Sequence, residues 1–179
     1  MTSKTYRILL FLLGSLIIMF VLTKQGKPLY DSPSSKQGII SLELAYNAEK
    51  AQTIINDWKL RTSDGDQLFD IARKNVYLDF IFIFFYPFFL FFASLQINQN
   101  FRGWFGRIGK SVAAGALLAG LLDIFENVGM LLTMNGNGTD LITLLTGIVS
   151  SVKWMLAIIA VLYVLVGTVG TLTAKLKTK

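Results

Sequence analysis

"LLAGLLDIFENVGMLL", residues 117–132, has the length and apolarity of the middle of a membrane-spanning helix, yet it holds Asp123, Glu126 and Asn127. An acid at the centre of such a helix costs about 2.5–3.5 kcal/mol to insert. The three polar residues fall at i, i+3 and i+4, so they share one face, and Gly120 and Ala116 continue that face with small side chains. Polar groups above small ones mark a close helix–helix contact. The stretch reads as one member of a bundle that turns its polar face away from lipid.

The rest of the chain supplies the partners. Of 179 residues, 53% are hydrophobic and 16% charged, and long uncharged runs recur, a composition too apolar for an ordinary soluble domain. We expect an all-α integral membrane protein forming one domain over residues 1–179: a four-transmembrane-helix bundle with spans near 8–22, 76–97, 112–133 and 154–172. A small extracytoplasmic helical cap is expected over residues 24–74. The first run follows "MTSKTYR", lacks a small-x-small exit, and reads as an uncleaved signal anchor. Pro87 interrupts a phenylalanine-rich run whose length favours a kinked helix over a strand. The last apolar run, residues 141–172, is longer than one crossing needs.

Charge sets the orientation. Lys4 and Arg7, then Arg102, Arg107 and Lys110, then Lys175, Lys177 and Lys179 flank the spans on one side without an acid, whereas "NGNGTD", residues 135–140, has an acid and no base. The positive-inside rule places both termini in the cytoplasm. The net charge of +6 is spread between apolar spans, not gathered on an Arg-rich face, so nucleic acid is not an expected partner. The chain has no histidine and no cysteine, which removes haem ligation through either residue, thiolate iron–sulfur sites, ordinary zinc sites, Ser-His triads and Cys nucleophiles. No cofactor is evident, and any chemistry rests on carboxylates, Lys, Arg, Tyr, Ser, Thr or Asn.

Between the first two spans, "IISLELAY" alternates apolar and polar residues and suggests a short extended segment. "NAEKAQTIINDWK" places Ala48, Ala51, Ile54, Ile55 and Trp58 on one helical face behind Asn47 as N-cap. After "TSDGD", helical spacing continues through Asp79 into the second span, so one helix is expected to start outside the membrane and enter it.

The candidate site is a polar cluster in the outer half of the bundle: Asp79, Tyr86, Asp123, Glu126, Asn127 and Lys153, with Glu43 close to its mouth. Asp123, Glu126 and Asp79 are the candidates for acid/base work. The plainer readings stand beside these: an interhelical anchor for Asp123 and Glu126, a packing tyrosine at 86, a snorkelling lysine at 153 and a solvated Glu43. With Asp79, Asp123 and Glu126 all ionised, Lys153 alone leaves excess negative charge, which proton uptake, a bound cation or a further base such as Arg73 would balance.

"ISLELAYNAEKAQTIINDWK", "YLDFIFIFFY" and "LLDIFENVGML" together resemble an uncharacterised group of small four-span bacterial membrane proteins with Glu-Leu-Ala, Leu-Asp-Phe and Leu-Asp-x-x-Glu-Asn segments. The resemblance implies a bacterial cytoplasmic membrane, joins Glu43, Asp79, Asp123, Glu126 and Asn127 into one pattern, and brings no activity with it. The leading expectation is a binding protein with an outward-facing, carboxylate-lined intramembrane pocket for a small ligand, an ion or a partner helix, in contact with membrane lipids. The alternatives are a membrane enzyme using Asp/Glu acid–base chemistry on a lipid or isoprenoid, and a structural accessory subunit of a membrane complex. An open, wet cavity at the cluster would favour ligand or catalysis; dense packing with paired carboxylates would favour structure.

Overall fold

The computed structural model describes residues 3–177, so Lys179 of the C-terminal basic run lies outside the described residues, as do the side chains of Lys175 and Lys177. The described chain is helical throughout except for one two-stranded hairpin and the short links between elements. Helix α1 spans Ser3–Gly26 and stops where Pro28 opens a 3₁₀ turn, Lys27–Asp31. Proline can start a helical segment but cannot continue the preceding one. A single turn, α2, covers Ile40–Glu43, and α3 covers Ala48–Leu60. The alternation in "IISLELAY" is therefore not a strand. A run that short fits either period, and Leu42 and Glu43 are both buried by the helical turn, which an extended backbone would point to opposite faces.

Asn47 caps α3 as expected: its side chain accepts a hydrogen bond from the Lys50 amide at 2.8 Å. Ala51, Ile54, Ile55 and Trp58 form the buried face. The indole N–H of Trp58 donates to Ser35 Oγ at 2.7 Å, and Ser35 in turn donates to the Leu29 carbonyl at 2.8 Å, so the linker is tied beneath α3. Strands β1, Thr62–Ser63, and β2, Asp66–Gln67, pair antiparallel around Asp64 and Gly65, both with positive φ. That is the pattern of a type I′ hairpin turn.

Three long helices complete the bundle. Helix α4 runs Leu68–Asn100, α5 runs Gly103–Leu132, and α6 runs Asp140–Lys177. With α1 they are long and apolar enough to cross a membrane. Helix α4 continues through Pro87 and packs against α1, α5 and α6, which makes it the central member. Gly120 of α5 lies against the Pro87 ring, so the close approach expected from Gly120 and Ala116 is made where a larger side chain would not fit. A π-helical turn, Thr133–Asn137, joins α5 to α6, with Gly136 at φ 88°.

The surface is inverted relative to a soluble bundle. Along α6 the buried stripe begins with Thr143, Thr146, Ser150 and Lys153, spaced three and four apart, while Leu144, Leu145, Ile148, Met155, Ile158 and Leu162 are exposed. Helix α1 likewise exposes Leu13, Leu16, Ile17 and Phe20. Apolar side chains outside and polar ones inside is the arrangement that a lipid solvent selects.

Candidate functional site

The polar stripe of α6 meets the Asp123–Asn127 face of α5 in the half of the bundle next to α2 and α3. Lys153 is the centre. Its ammonium lies 2.7 Å from Glu126 Oε1 and 3.0 Å from Asp123 Oδ1, both within hydrogen-bond distance. Glu43 Oε2 stands 3.8 Å away, an ion pair without a hydrogen bond. Lys153 and Glu43 are each 6% exposed and Glu126 is 1% exposed, so these charges are out of contact with bulk solvent. Lys153 does not snorkel to an interface. The Asp123 and Glu126 carboxylates, both presented by α5 one helical turn apart, hold its ammonium inside against the pull of water.

Glu43 is not solvated either. Although α2 is only one turn long, it carries Glu43 onto α6, where Oε2 accepts from Trp154 Nε1 at 3.2 Å and Ser150 Oγ at 3.3 Å. The contact is reinforced by Tyr46, whose ring packs on Gly147 and whose hydroxyl shares a 2.6 Å hydrogen bond with Ser151. The turn thus closes the cluster from the α2 side. Ser150 and Trp154 were not among the expected site residues. The signal that reveals Ser150 is the Thr143, Thr146, Ser150, Lys153 spacing in an otherwise apolar helix, since polar residues three and four apart share one face and that face must turn away from lipid.

The second layer comes from α4. Tyr86 donates to Asp123 Oδ2 at 2.8 Å and stacks on Phe82 at a centroid distance of 4.8 Å, so it holds the far oxygen of the aspartate that Lys153 binds. Asn127 donates to Asp79 Oδ2 at 2.7 Å. All seven expected residues are therefore in this region, as one lysine-centred group, Lys153, Asp123, Glu126, Glu43 and Tyr86, beside one amide–carboxylate pair. Arg73 is elsewhere: its guanidinium lies 5.9 Å from the Tyr77 ring and no ion pair joins it to the cluster.

Two features set the chemistry. Three carboxyl groups, of Glu43, Asp123 and Glu126, lie within 4 Å of one ammonium, and a fourth, of Asp79, is held beside them by Asn127. Glu126 Oε2 is buried without a hydrogen-bond partner, a costly state for a polar atom in a low-dielectric interior. Among the described residues no group of three or more acids is arranged to hold a metal ion, because the lysine nitrogen occupies the point on which these carboxylates converge. A cleft of about 170 Å³ between α1 and α4 and another of about 200 Å³ beside the hairpin are both lined by other residues. No family model, curated protein or solved structure matches the chain.

Proposed function

We propose that this chain is a multi-pass protein of a bacterial cytoplasmic membrane, with both termini inside and residues 27–67 capping the bundle outside, that binds a small cationic or cationic-amphipathic ligand at the Lys153 cluster. The observation that carries this reading is the partnerless Glu126 Oε2, a buried acceptor within a group whose acids outnumber its base. A ligand ammonium supplies the missing donor and part of the missing positive charge at once. The route in is under α2, since displacing Glu43 from Trp154 and Ser150 uncovers Lys153 and the Glu126 carboxylate behind it.

The closed packing supports a second reading, an interhelical anchor in an accessory subunit, because Lys153 already satisfies one oxygen of each of its two near acids. Thermal unfolding of the purified protein in detergent separates the two, with decylammonium, sodium and potassium as probes and decyl alcohol as the uncharged control. A ligand site gives saturable stabilisation by one of the cations, about 2.7 kcal/mol at a hundredfold excess over its Kd, which Glu126→Gln abolishes while the variant remains folded. No cation-specific stabilisation, or the same stabilisation in Glu126→Gln, rejects the binding reading and leaves the anchor.

A further inference from the structure

At the opposite end of the bundle, the start of α1, the α4–α5 junction and the second half of α6 come together: Lys4 of α1 bonds Gln99 of α4 at 3.0 Å, Tyr163 of α6 bonds the Phe105 carbonyl of α5 at 3.1 Å, and Gly170 of α6 lies against the Phe101 ring. The sequence holds no Asp or Glu in residues 1–30, 80–122 or 141–179, so Lys4, Arg7, Arg102, Arg107 and Lys110 have no acidic side chain in their own segments to pair with. Among the described residues neither Lys4 nor Arg7 forms an ion pair. The charges of Lys4 and Arg7 are therefore open to an anion from outside the chain.

Lys4 and Arg7 also line the cleft of about 170 Å³ between α1 and α4, together with the amides of Gln96 and Gln99 and the apolar Phe92 and Leu95. The Lys4–Gln99 hydrogen bond and the Arg7 guanidinium 5.4 Å from the Phe92 ring centre hold both bases at its rim. Cations, neutral amide donors and an apolar wall in one cleft match a phosphodiester with a hydrocarbon chain attached. Tyr6 and Trp104, 59% and 69% exposed at the same end, are the ring types that settle at headgroup depth. From Phe92 the exposed Phe88 and Phe84 continue one and two turns along α4, beside Phe11 of α1, as an apolar surface for the acyl chain to lie on.

We infer that the α1–α4 cleft is a binding site for the phosphodiester headgroup of an anionic phospholipid, held by Lys4 and Arg7. Basic pockets between membrane-spanning helices recognise such headgroups by charge and by amide donors around the phosphate. The inference needs only that the four helices cross a membrane and is independent of what occupies the Lys153 cluster.

Native mass spectrometry of the full-length protein, released from micelles containing equal dioleoyl phosphatidylglycerol and dioleoyl phosphatidylcholine, tests it. Two surface cations give a preference of about 30-fold for the anionic lipid. Lys4→Gln with Arg7→Gln reduces this to parity, and Leu95→Trp, which fills the cleft and leaves both bases, lowers retention of the anionic lipid as well. Arg107→Gln, at the same end but outside the cleft, retains the preference. Equal retention of the two lipids by the wild type, an undiminished preference in both cleft variants, or displacement of the lipid by excess inorganic phosphate would each overturn the assignment, the last by showing a site for a free anion.

Discussion

Replacing Lys153 by methionine keeps the apolar stem and deletes the charge on which three carboxylates converge. At an effective dielectric of about 20, each unit-charge pair near 4 Å is worth about 4 kcal/mol, most of it offset by the desolvation incurred in burying both members. Deleting one member removes the attraction and retains the penalty, so breaking a buried pair costs about 3–5 kcal/mol. Lys153 should reach the upper part of that range, since contacts at 2.7, 3.0 and 3.8 Å are lost together. For a chain of this size that is a fall in Tm of about 6–20 °C, read by circular dichroism in detergent. Lys153→Met with Glu126→Gln should recover part of the loss, because one of the stranded charges is then gone. Glu126→Gln alone should cost about 1 kcal/mol or less, since the amide still accepts from Lys153 and the Asp123 pair persists, whereas Glu126→Leu removes the hydrogen bond as well. A Tm for Lys153→Met within about 2 °C of wild type, or a double variant no more stable than the single one, would show that the cluster is not an electrostatic unit.

Gly120→Ala should destabilise by about 1–3 kcal/mol because its new methyl meets the Pro87 ring, while Gly115→Ala, whose nearest neighbour is Leu156 at 3.6 Å, should be neutral or stabilising; thermal unfolding of the two compares them directly. Single cysteines replacing Lys36 and Asn137, both exposed, should react with an impermeant maleimide on intact cells, and one replacing Arg102 only after permeabilisation; the opposite pattern rejects the orientation. In the segment outside the long helices, burial opposes the charge of Asp57, but hydrogen bonds from Arg61, Ser32 and Ser34 and the Arg61 charge prevail and hold its carboxyl down to about 2 from 3.8. Because the folded value is the lower one, this group's stabilisation of roughly 1–2 kcal/mol is complete above about pH 3.8 and disappears as pH falls through about 2. The difference in stability between wild type and Asp57→Asn should follow that window and vanish at its acid end, and a pH-independent difference counts against it.

Much of the molecule is legible locally. Helical phase places Asp123, Glu126 and Asn127 on one face because a 3.6-residue period needs only neighbours along the chain, and run length with few charges marks the four long helices. The Asn47 cap is equally local, a side chain bonding an amide three positions on. What the tertiary structure alone decided is who meets that face. Glu43 reaches Ser150 across 107 positions and Trp154 across 111, contacts that depend on how α2 docks on α6, which no period encodes. The same docking turned a short alternating pattern into a helical turn, since so short a run carries too little free energy of its own to oppose the burial of Leu42 and the pairing of Glu43. Lys153 follows the same logic. Its long stem permits either water or the interior, and two carboxylates fixed one turn apart on a neighbouring helix, brought within reach only when α5 and α6 pack, decide for the interior.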